Sequence, residues 1–153
     1  MSRIIIITGG NNGIGLAMTK ALLDKGDRVA ALDLSTENLD RATPNLLPLI
    51  CDVTDPQRVQ AVVDEVVHQW GGLDILINNA CLALFTRFEE RTLDDIRREF
   101  EVNYFGYLNT IRSVLPVMKN RGAALCIISV RAPALPACPA WSDIRPPRAR
   151  SNR

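Results

Sequence analysis

The chain has 153 residues and a formal net charge of +1, with 47% hydrophobic and 23% charged residues. This is the length and composition of one globular domain with a real core, which excludes a disordered polymer. The charge is uneven, because residues 131–153 hold five arginines and one aspartate, a local +4, which leaves −3 for residues 1–130. A mildly acidic body argues against nucleic acid as the main partner.

The cysteines and the N-terminal sequence indicate the cellular compartment of the protein. The four consecutive isoleucines near the N-terminus are too few for a signal peptide or a membrane span. The cysteines lie far apart and have no histidine at metal spacing, so we expect reduced structural thiols at Cys51, Cys81, Cys126 and Cys138. The sequence predicts a cytoplasmic protein with no membrane partner and no metal site.

Predicted strands and helices alternate along residues 1–130, which we expect to form one domain. "IIIIT" at 4–8 is a continuous β-branched run, typical of a strand buried on both faces. Further strands are predicted at 28–34, 46–53, 73–80 and 123–130, and helices at 14–26, 35–41, 55–70 and 92–120. This alternation predicts right-handed crossovers and a parallel sheet, with Pro48 placing the third strand at a sheet edge.

Two predicted helices carry aromatic residues or the single histidine. In the helix 55–70, His68 falls off the apolar stripe and should be solvated, whereas Trp70 should anchor the helix end to the core. In the long helix 92–120 the apolar residues on one stripe are Phe100, Tyr104, Leu108, Ile111, Leu115 and Met118.

The glycine-rich stretch "TGGNNGIG", from Thr8 to Gly15, joins the first strand to the first helix. Gly9 permits a tight turn, Gly13 lets the backbone approach a pyrophosphate, and Gly15 lets the helix pack closely on the sheet. The N–H groups of the helix start, around Asn12 and Ile14, favour the phosphates. Between a buried strand and a helix, this pattern predicts dinucleotide binding.

Asp33 ends the second predicted strand, 18 residues after Gly15, where the adenosine ribose should lie. A carboxylate there accepts hydrogen bonds from the ribose hydroxyls and repels a 2′-phosphate. The glycine-rich stretch contains no Lys or Arg, and Leu34 follows Asp33, so NAD is favoured over NADP. The alternative is a solvated aspartate at a strand end.

Five motifs in order resemble those of the short-chain dehydrogenase/reductase family: "TGGNNGIG", "CDVTD" (51–55), "INNA" (77–80), "VNYFG" (102–106) and "IISV" (127–130). The resemblance covers residues 3–130. It implies an α/β fold, a doubly wound, Rossmann-like parallel sheet with strand order 3-2-1-4-5, incomplete at the C-terminus. It departs from the family at Cys81, where glycine is usual.

The resemblance also implies roles for individual residues. Asp52 and Val53 would contact the adenine, and Asn79 and Ala80 would line the cofactor cleft. Two catalytic roles would fall on Asn103, holding a water in the proton relay, and on Ser129, bonding the substrate oxygen. Simpler interpretations stay open, since Asn79 and Asn103 could satisfy buried backbone groups and Ser129 could be a small strand-end residue.

The tail 131–153 is irregular and holds five of the nine prolines. The family's chemistry needs a Tyr as general acid/base roughly a dozen residues after the Ser, and a Lys four residues later. No Tyr or Lys follows Ser129, the last of each being Tyr107 and Lys119. We therefore expect a truncated or frameshifted chain.

Two classes of function follow from these observations. One is an NAD-dependent oxidoreductase that acts on a small alcohol or carbonyl substrate. The other is an inactive nucleotide-binding product that lacks the Tyr/Lys pair. Because the long helix usually pairs with the helix that carries this Tyr and Lys, we expect the family-type homo-oligomer to be compromised.

Overall fold

The computed structural model describes residues 2–121 and 125–128. Its strands are Ile4–Thr8 (β1), Arg28–Asp33 (β2), Leu46–Ile50 (β3), Ile75–Asn78 (β4) and Leu125–Ile128 (β5). Its α-helices are Gly13–Asp24 (α1), Pro56–Trp70 (α2), Leu93–Phe100 (α3) and Gly106–Arg121 (α4). A 3₁₀ turn, Phe88–Glu90, precedes α3, and a π turn, Glu101–Phe105, joins α3 to α4.

The five strands form a single parallel sheet in the order β3-β2-β1-β4-β5. This confirms the expected doubly wound topology, and β3, with Pro48, lies at an edge as predicted. The family's Ser129 lies outside the described residues, as do positions 123, 124 and 130 of the predicted fifth strand.

The central position of β1 in the sheet explains its run of four isoleucines, each of which is at most 3% exposed. Ile4 and Ile6 pack on one face of the sheet with the valines of α2 and with Val114 and Met118 of α4. Ile5 and Ile7 face the other layer, against Leu16, Met18, Leu22 and Leu23 of α1. Because β1 is covered on both faces, its first four side chains are apolar, and its polar residue, Thr8, has its hydroxyl group hydrogen-bonded at the carboxyl end of the strand.

The helix α2 begins and ends with standard capping residues. The Asp55 carboxylate accepts hydrogen bonds from the amides of Gln57 and Arg58, and Gly71 ends the helix at a left-handed φ of 81°. Near its end His68 is exposed, and Trp70 is partly buried against the core. Both predictions for this helix are confirmed.

Segment 35–41 differs from the prediction, because it forms turns and no helix. Leu39 is buried in the layer that contains α1, while Asn38 turns back to the glycine-rich stretch. The strand β3 also ends early, at Ile50, since Asp52 folds a turn by accepting from the amide of Thr54 at 2.9 Å.

The predicted helix 92–120 is continuous but changes its hydrogen-bonding pattern at the π turn. That turn inserts a residue and rotates the faces on either side. The face of α4 that packs on the core contains the buried residues Tyr107, Thr110, Val114 and Met118. The predicted stripe is therefore split, and four of its members are exposed: Phe100 (57%), Tyr104 (55%), Leu108 (39%) and Leu115 (39%).

Within the described ranges, no helix combines the length and apolarity that crossing a bilayer requires. The described His, Cys, Asp and Glu side chains likewise form no group of three that could hold a metal ion.

An ion pair ties the start of β1 to the start of β2. Asp27, 4% exposed, accepts from the Arg3 guanidinium at 3.1 and 2.5 Å and from the Arg3 amide at 3.1 Å. The hydrogen bond from the Arg3 side chain lowers the pKa of the Asp27 carboxyl. Because the folded-state pKa is depressed, this stabilisation is present above the unfolded-state pKa and is lost as the pH falls through the folded-state value.

Asp27→Asn should therefore lower the unfolding midpoint at neutral pH and change it much less in strong acid, where the native carboxyl is protonated too. Urea unfolding at both pH values measures the difference. Asp24→Asn, at an exposed position near the end of α1, is the matched control. An equal effect of Asp27→Asn at both pH values would show that the carboxyl's charge contributes nothing.

Candidate dinucleotide-binding site

A cleft of about 680 Å³ opens at the carboxyl edge of the parallel sheet, where such folds bind their ligands. Most of the residues singled out from the sequence meet there: Gly9, Asn12, Gly13, Gly15, Asp33, Asp52, Val53, Asn79 and Ala80. Thr8 is fully buried behind the cleft, and Ile14 lies half exposed on the first turn of α1. Asn103 contacts the cleft wall through Leu82, as described below.

The glycine-rich turn is held tightly against β2 and α1. Gly9, at a left-handed φ of 66°, donates its amide to the Leu32 carbonyl at 2.7 Å. At Gly15 a Cβ would lie 1.8 Å from the Gly9 carbonyl oxygen and 2.6 Å from Asn79 Nδ2. Only glycine at this position lets the first turn of α1 approach the loop so closely.

Gly15→Ala should accordingly displace the loop or α1, since a methyl group cannot fit at 1.8 Å from backbone. We expect destabilisation of about 2 kcal/mol or more, by analogy with overpacking in cores, together with loss of dinucleotide binding. Chemical denaturation and NADH titration measure the two effects. Gly26→Ala is the control for a fold weakened away from the cleft, because its added Cβ meets no atom within 4 Å but its left-handed φ of 79° strains any side chain. It should lower the stability and leave NADH binding unchanged. Unchanged binding in Gly15→Ala would contradict the packing role.

Thr8 and Asn79 join the glycine-rich turn to the end of β4. Thr8 Oγ1 accepts from the amides of Asn79 and Ala80, both at 3.0 Å. Asn79 Nδ2 donates to the carbonyls of Thr8 and Gly9 at 3.0 and 3.1 Å. Asn79 thus satisfies buried backbone groups, the simpler of the two interpretations, while also lining the cleft.

Two features of the cleft fit a bound dinucleotide. The buried Asn79 Oδ1 has no hydrogen-bond partner among the described residues, so it is an acceptor that a bound polar group could satisfy. The helix α1 begins at Gly13 with no side-chain cap, although Asn12 is its N-cap residue. Its first amides therefore remain open to an anion, which the helix dipole also favours.

The Asp33 carboxylate is fixed at the rim of the cleft. Its Oδ2 accepts from the Asn11 amide at 2.9 Å, and its Oδ1 accepts from its neighbour Leu34 at 2.8 Å. Each carboxylate oxygen can accept more than one hydrogen bond. The group is thus oriented yet retains acceptor capacity for hydroxyl groups.

Val53 lies on the cleft wall with α4 directly behind it. An added Cβ at Gly106 would lie 2.7 Å from Val53 Cγ2, and Asn109 Nδ2 donates to the Val53 carbonyl at 3.0 Å. Sequence reasoning missed the supporting roles of Gly106 and Asn109, although a glycine inside a helical pattern is a sign of close packing.

Cys51 also lines the cleft. Burial raises the pKa of its thiol to about 11, so this thiol is neutral.

Asn103, within the π turn, holds the opposite wall of the cleft. Its Oδ1 accepts from the Leu82 amide and its Nδ2 donates to the Leu82 carbonyl, each at 2.8 Å. Its side chain therefore satisfies backbone groups, the interpretation left open beside the catalytic one. Cys81, which replaces the family's usual glycine, lines the cleft and is half-buried.

Hydrogen bonds of Arg91 and Glu99 with the backbone of Leu84 fix the same wall of the cleft, and sequence reasoning missed both residues. Glu99 accepts from the Leu84 amide at 2.8 Å and forms a two-point ion pair with Arg91 at 2.9 and 3.0 Å. Arg91 in turn donates to the Leu84 carbonyl. No local sequence signal joins Arg91 to Glu99 across the start of α3.

The sheet order, the glycine-rich turn and the cleft composition are those of a dinucleotide-binding α/β protein. The model of the family described as short chain dehydrogenase matches residues 3–137, and the chain belongs to this family. Its members are oxidoreductases that bind nicotinamide cofactors.

Two curated relatives are similar over most of this chain. Fluoren-9-ol dehydrogenase of a Terrabacter species is 32% identical over 94% of the chain and 45% of its own length. The 2-(R)-hydroxypropyl-CoM dehydrogenase of Xanthobacter autotrophicus is 33% identical over 93% of the chain and 61% of its length. The chain thus spans about half the length of the curated relatives it matches.

Solved structures agree with this assignment. A short-chain dehydrogenase from Streptomyces avermitilis is 31% identical with a TM-score of 0.77, covering 84% of this chain and 49% of that one. A Leptospira borgpetersenii short-chain dehydrogenase with bound NAD+ is 25% identical (TM-score 0.77, coverage 84% and 51%). A Thermococcus sibiricus alcohol dehydrogenase with 5-hydroxy-NADP is 26% identical (TM-score 0.76, coverage 84% and 57%).

Proposed function

We propose that the protein is an NAD-dependent oxidoreductase that interconverts a small alcohol and the corresponding carbonyl compound. The observation that carries this proposal is the Asp33 carboxylate, held at the cleft rim by the amides of Asn11 and Leu34. NAD, when bound, supplies the hydride acceptor, and NADH supplies the donor. A carboxylate at this position accepts from ribose hydroxyls and disfavours a 2′-phosphate.

The remaining residues would divide binding and catalysis between them. The open N-terminus of α1 would bind the pyrophosphate, and Val53 would pack against the adenine beside Asp52. Ala80 and Asn79 would border the nicotinamide half of the cleft. Ser129 would donate a hydrogen bond to the substrate oxygen, and Asn103 would hold a water of the proton relay.

A second candidate function is nucleotide binding without turnover. The sequence observation that favours it is that neither Tyr nor Lys follows Ser129 in the chain as given. Proton transfer to or from the substrate oxygen then has no donor of the kind that the family uses. The cleft residues described above would still bind the cofactor.

Two measurements on the purified chain separate these functions. Titration with NADH, followed by the fluorescence of NADH, measures binding, and assays on a panel of small alcohols and ketones measure turnover. Saturable binding with NAD-dependent turnover supports the oxidoreductase. Saturable binding with no turnover supports the nucleotide-binding protein. A folded chain that binds neither NADH nor NADPH contradicts both.

A further inference from the structure

Asn38 lies in the turn segment between β2 and β3 and makes three hydrogen bonds to the glycine-rich stretch. Its amide donates to Asn11 Oδ1 at 2.9 Å. Its Nδ2 donates to the Asn11 carbonyl at 3.3 Å and to Asn12 Oδ1 at 2.9 Å. Both protons of the side-chain amide are therefore directed at the residues immediately before α1.

We propose that Asn38 is a positioning residue that keeps the N-terminus of α1 open to the cofactor's pyrophosphate by holding the Asn12 side chain away from it. This inference rests on the proposed function, since it assigns a role within dinucleotide binding. It concerns a residue that does not line the cleft and acts only through Asn12.

The argument begins with the chemistry of Asn12. Asparagine is among the most favourable N-cap residues, because its side-chain oxygen accepts from the second or third amide of the helix, here Ile14 or Gly15. The Asn12 backbone has the extended conformation usual for an N-cap, with φ −138° and ψ 159°. Yet its side chain makes no cap hydrogen bond, and its oxygen accepts from Asn38 instead.

A capping side chain and a phosphate compete for the same amides. If Asn12 capped its own helix, an incoming pyrophosphate would have to displace that oxygen before the amides could donate to it. Asn38 removes this competition in the free protein. Asn38 lies at an exposed loop position, 26 residues after Asn12 in the sequence. Its side chain therefore plays no part in the packing of the core.

Asn38→Ala provides the direct test in the full chain. It removes both side-chain bonds but keeps the main-chain bond from residue 38 to Asn11, so the loop remains tied. We expect NADH to bind about fivefold more weakly, the factor that corresponds to an average N-cap hydrogen bond. In the ligand-free variant, the amide of Ile14 or Gly15 should exchange with solvent more slowly, because Asn12 now caps the helix.

The dependence on Asn12 distinguishes positioning from simple ordering of the loop. In an Asn12→Ala background no side chain can turn onto the helix, so Asn38→Ala should change the NADH affinity by less than about twofold. Asn45→Ala is the matched control, because its side chain makes no hydrogen bond within the described residues and lies away from the cleft. It should bind NADH like the unaltered chain.

Three results would overturn the inference alone. One is an equal loss of affinity from Asn38→Ala in both backgrounds, which would mean loop ordering alone. Another is unaltered exchange of the Ile14 and Gly15 amides in ligand-free Asn38→Ala. Full affinity in Asn38→Ala, while the unaltered chain binds NADH, would also refute it and leave the proposed function intact. Absence of binding by the unaltered chain would refute both together.

Discussion

The unaltered protein should bind NAD more tightly than NADP, and Asp33→Ala should narrow that preference by about a hundredfold. Losing the hydrogen bonds from the ribose hydroxyls to a charged acceptor is worth about 1.5–3 kcal/mol, or roughly tenfold or more in NAD affinity. Removing a like charge beside the 2′-phosphate should strengthen NADP binding by about the same factor. Isothermal titration calorimetry with both cofactors measures the ratio.

The matched control is Asp40→Ala, which removes an exposed carboxylate from the same loop but outside the cleft. It should leave the preference within about twofold, as expected of a screened surface charge. A further variant, Asp33→Ala with Leu34→Arg, places a guanidinium beside the 2′-phosphate and should reverse the preference, since Leu34 is 70% exposed at the rim. Equal affinity of the unaltered chain for NAD and NADP would contradict the role of Asp33.

Much of the fold could be predicted because its signals are local. The isoleucine run that predicts β1 and the glycine-rich stretch that predicts the turn before α1 each span only a few residues. The topology of alternating strands and helices then restricts the sheet to few arrangements. The carboxyl ends of parallel strands meet at one edge, so the position of Asp33 at the end of β2 predicts that it lies at the cleft. The family resemblance implies the same for Asn79.

The rest depends on contacts that sequence patterns do not encode. The helical period predicts Phe100, Tyr104 and Leu108 on one stripe because it assumes unbroken α-geometry, and the π turn at Glu101–Phe105 changes the register between them. Segment 35–41 has helix-compatible residues, but Asn38 bonds to a loop 26 positions earlier. Supports such as Asn109 behind Val53 are equally long-range, so no window along the sequence contains both partners.

We propose that a frameshift explains the composition of the tail. Codons compatible with residues from Trp141 onward, read two bases later, admit a tyrosine codon across Asp143 and Ile144 and a lysine codon across Pro147 and Arg148. The intervening and following codons admit the reading "YSASKGAVES". It resembles the Tyr-x-x-x-Lys helix of the family, and its tyrosine falls 14 positions after Ser129. Reading GC-rich codons out of frame also tends to produce arginine and proline.

Restoring the frame should therefore restore NAD-dependent turnover, the largest effect expected for this protein. The restored tyrosine would exchange a proton with the substrate oxygen, and the restored lysine, four residues later, would lower the tyrosine's pKa. Replacing that tyrosine with phenylalanine should then reduce turnover by about 10²–10⁴-fold while leaving NADH binding intact, because general acid–base catalysis contributes on that scale.

The nucleotide sequence provides the first test: if the codons spanning Asp143–Ile144 and Pro147–Arg148 do not read as Tyr and Lys in the shifted frame, the frameshift is refuted. If they do, a frame-restored protein that binds NADH yet turns over no alcohol or ketone would refute the catalytic role of the pair.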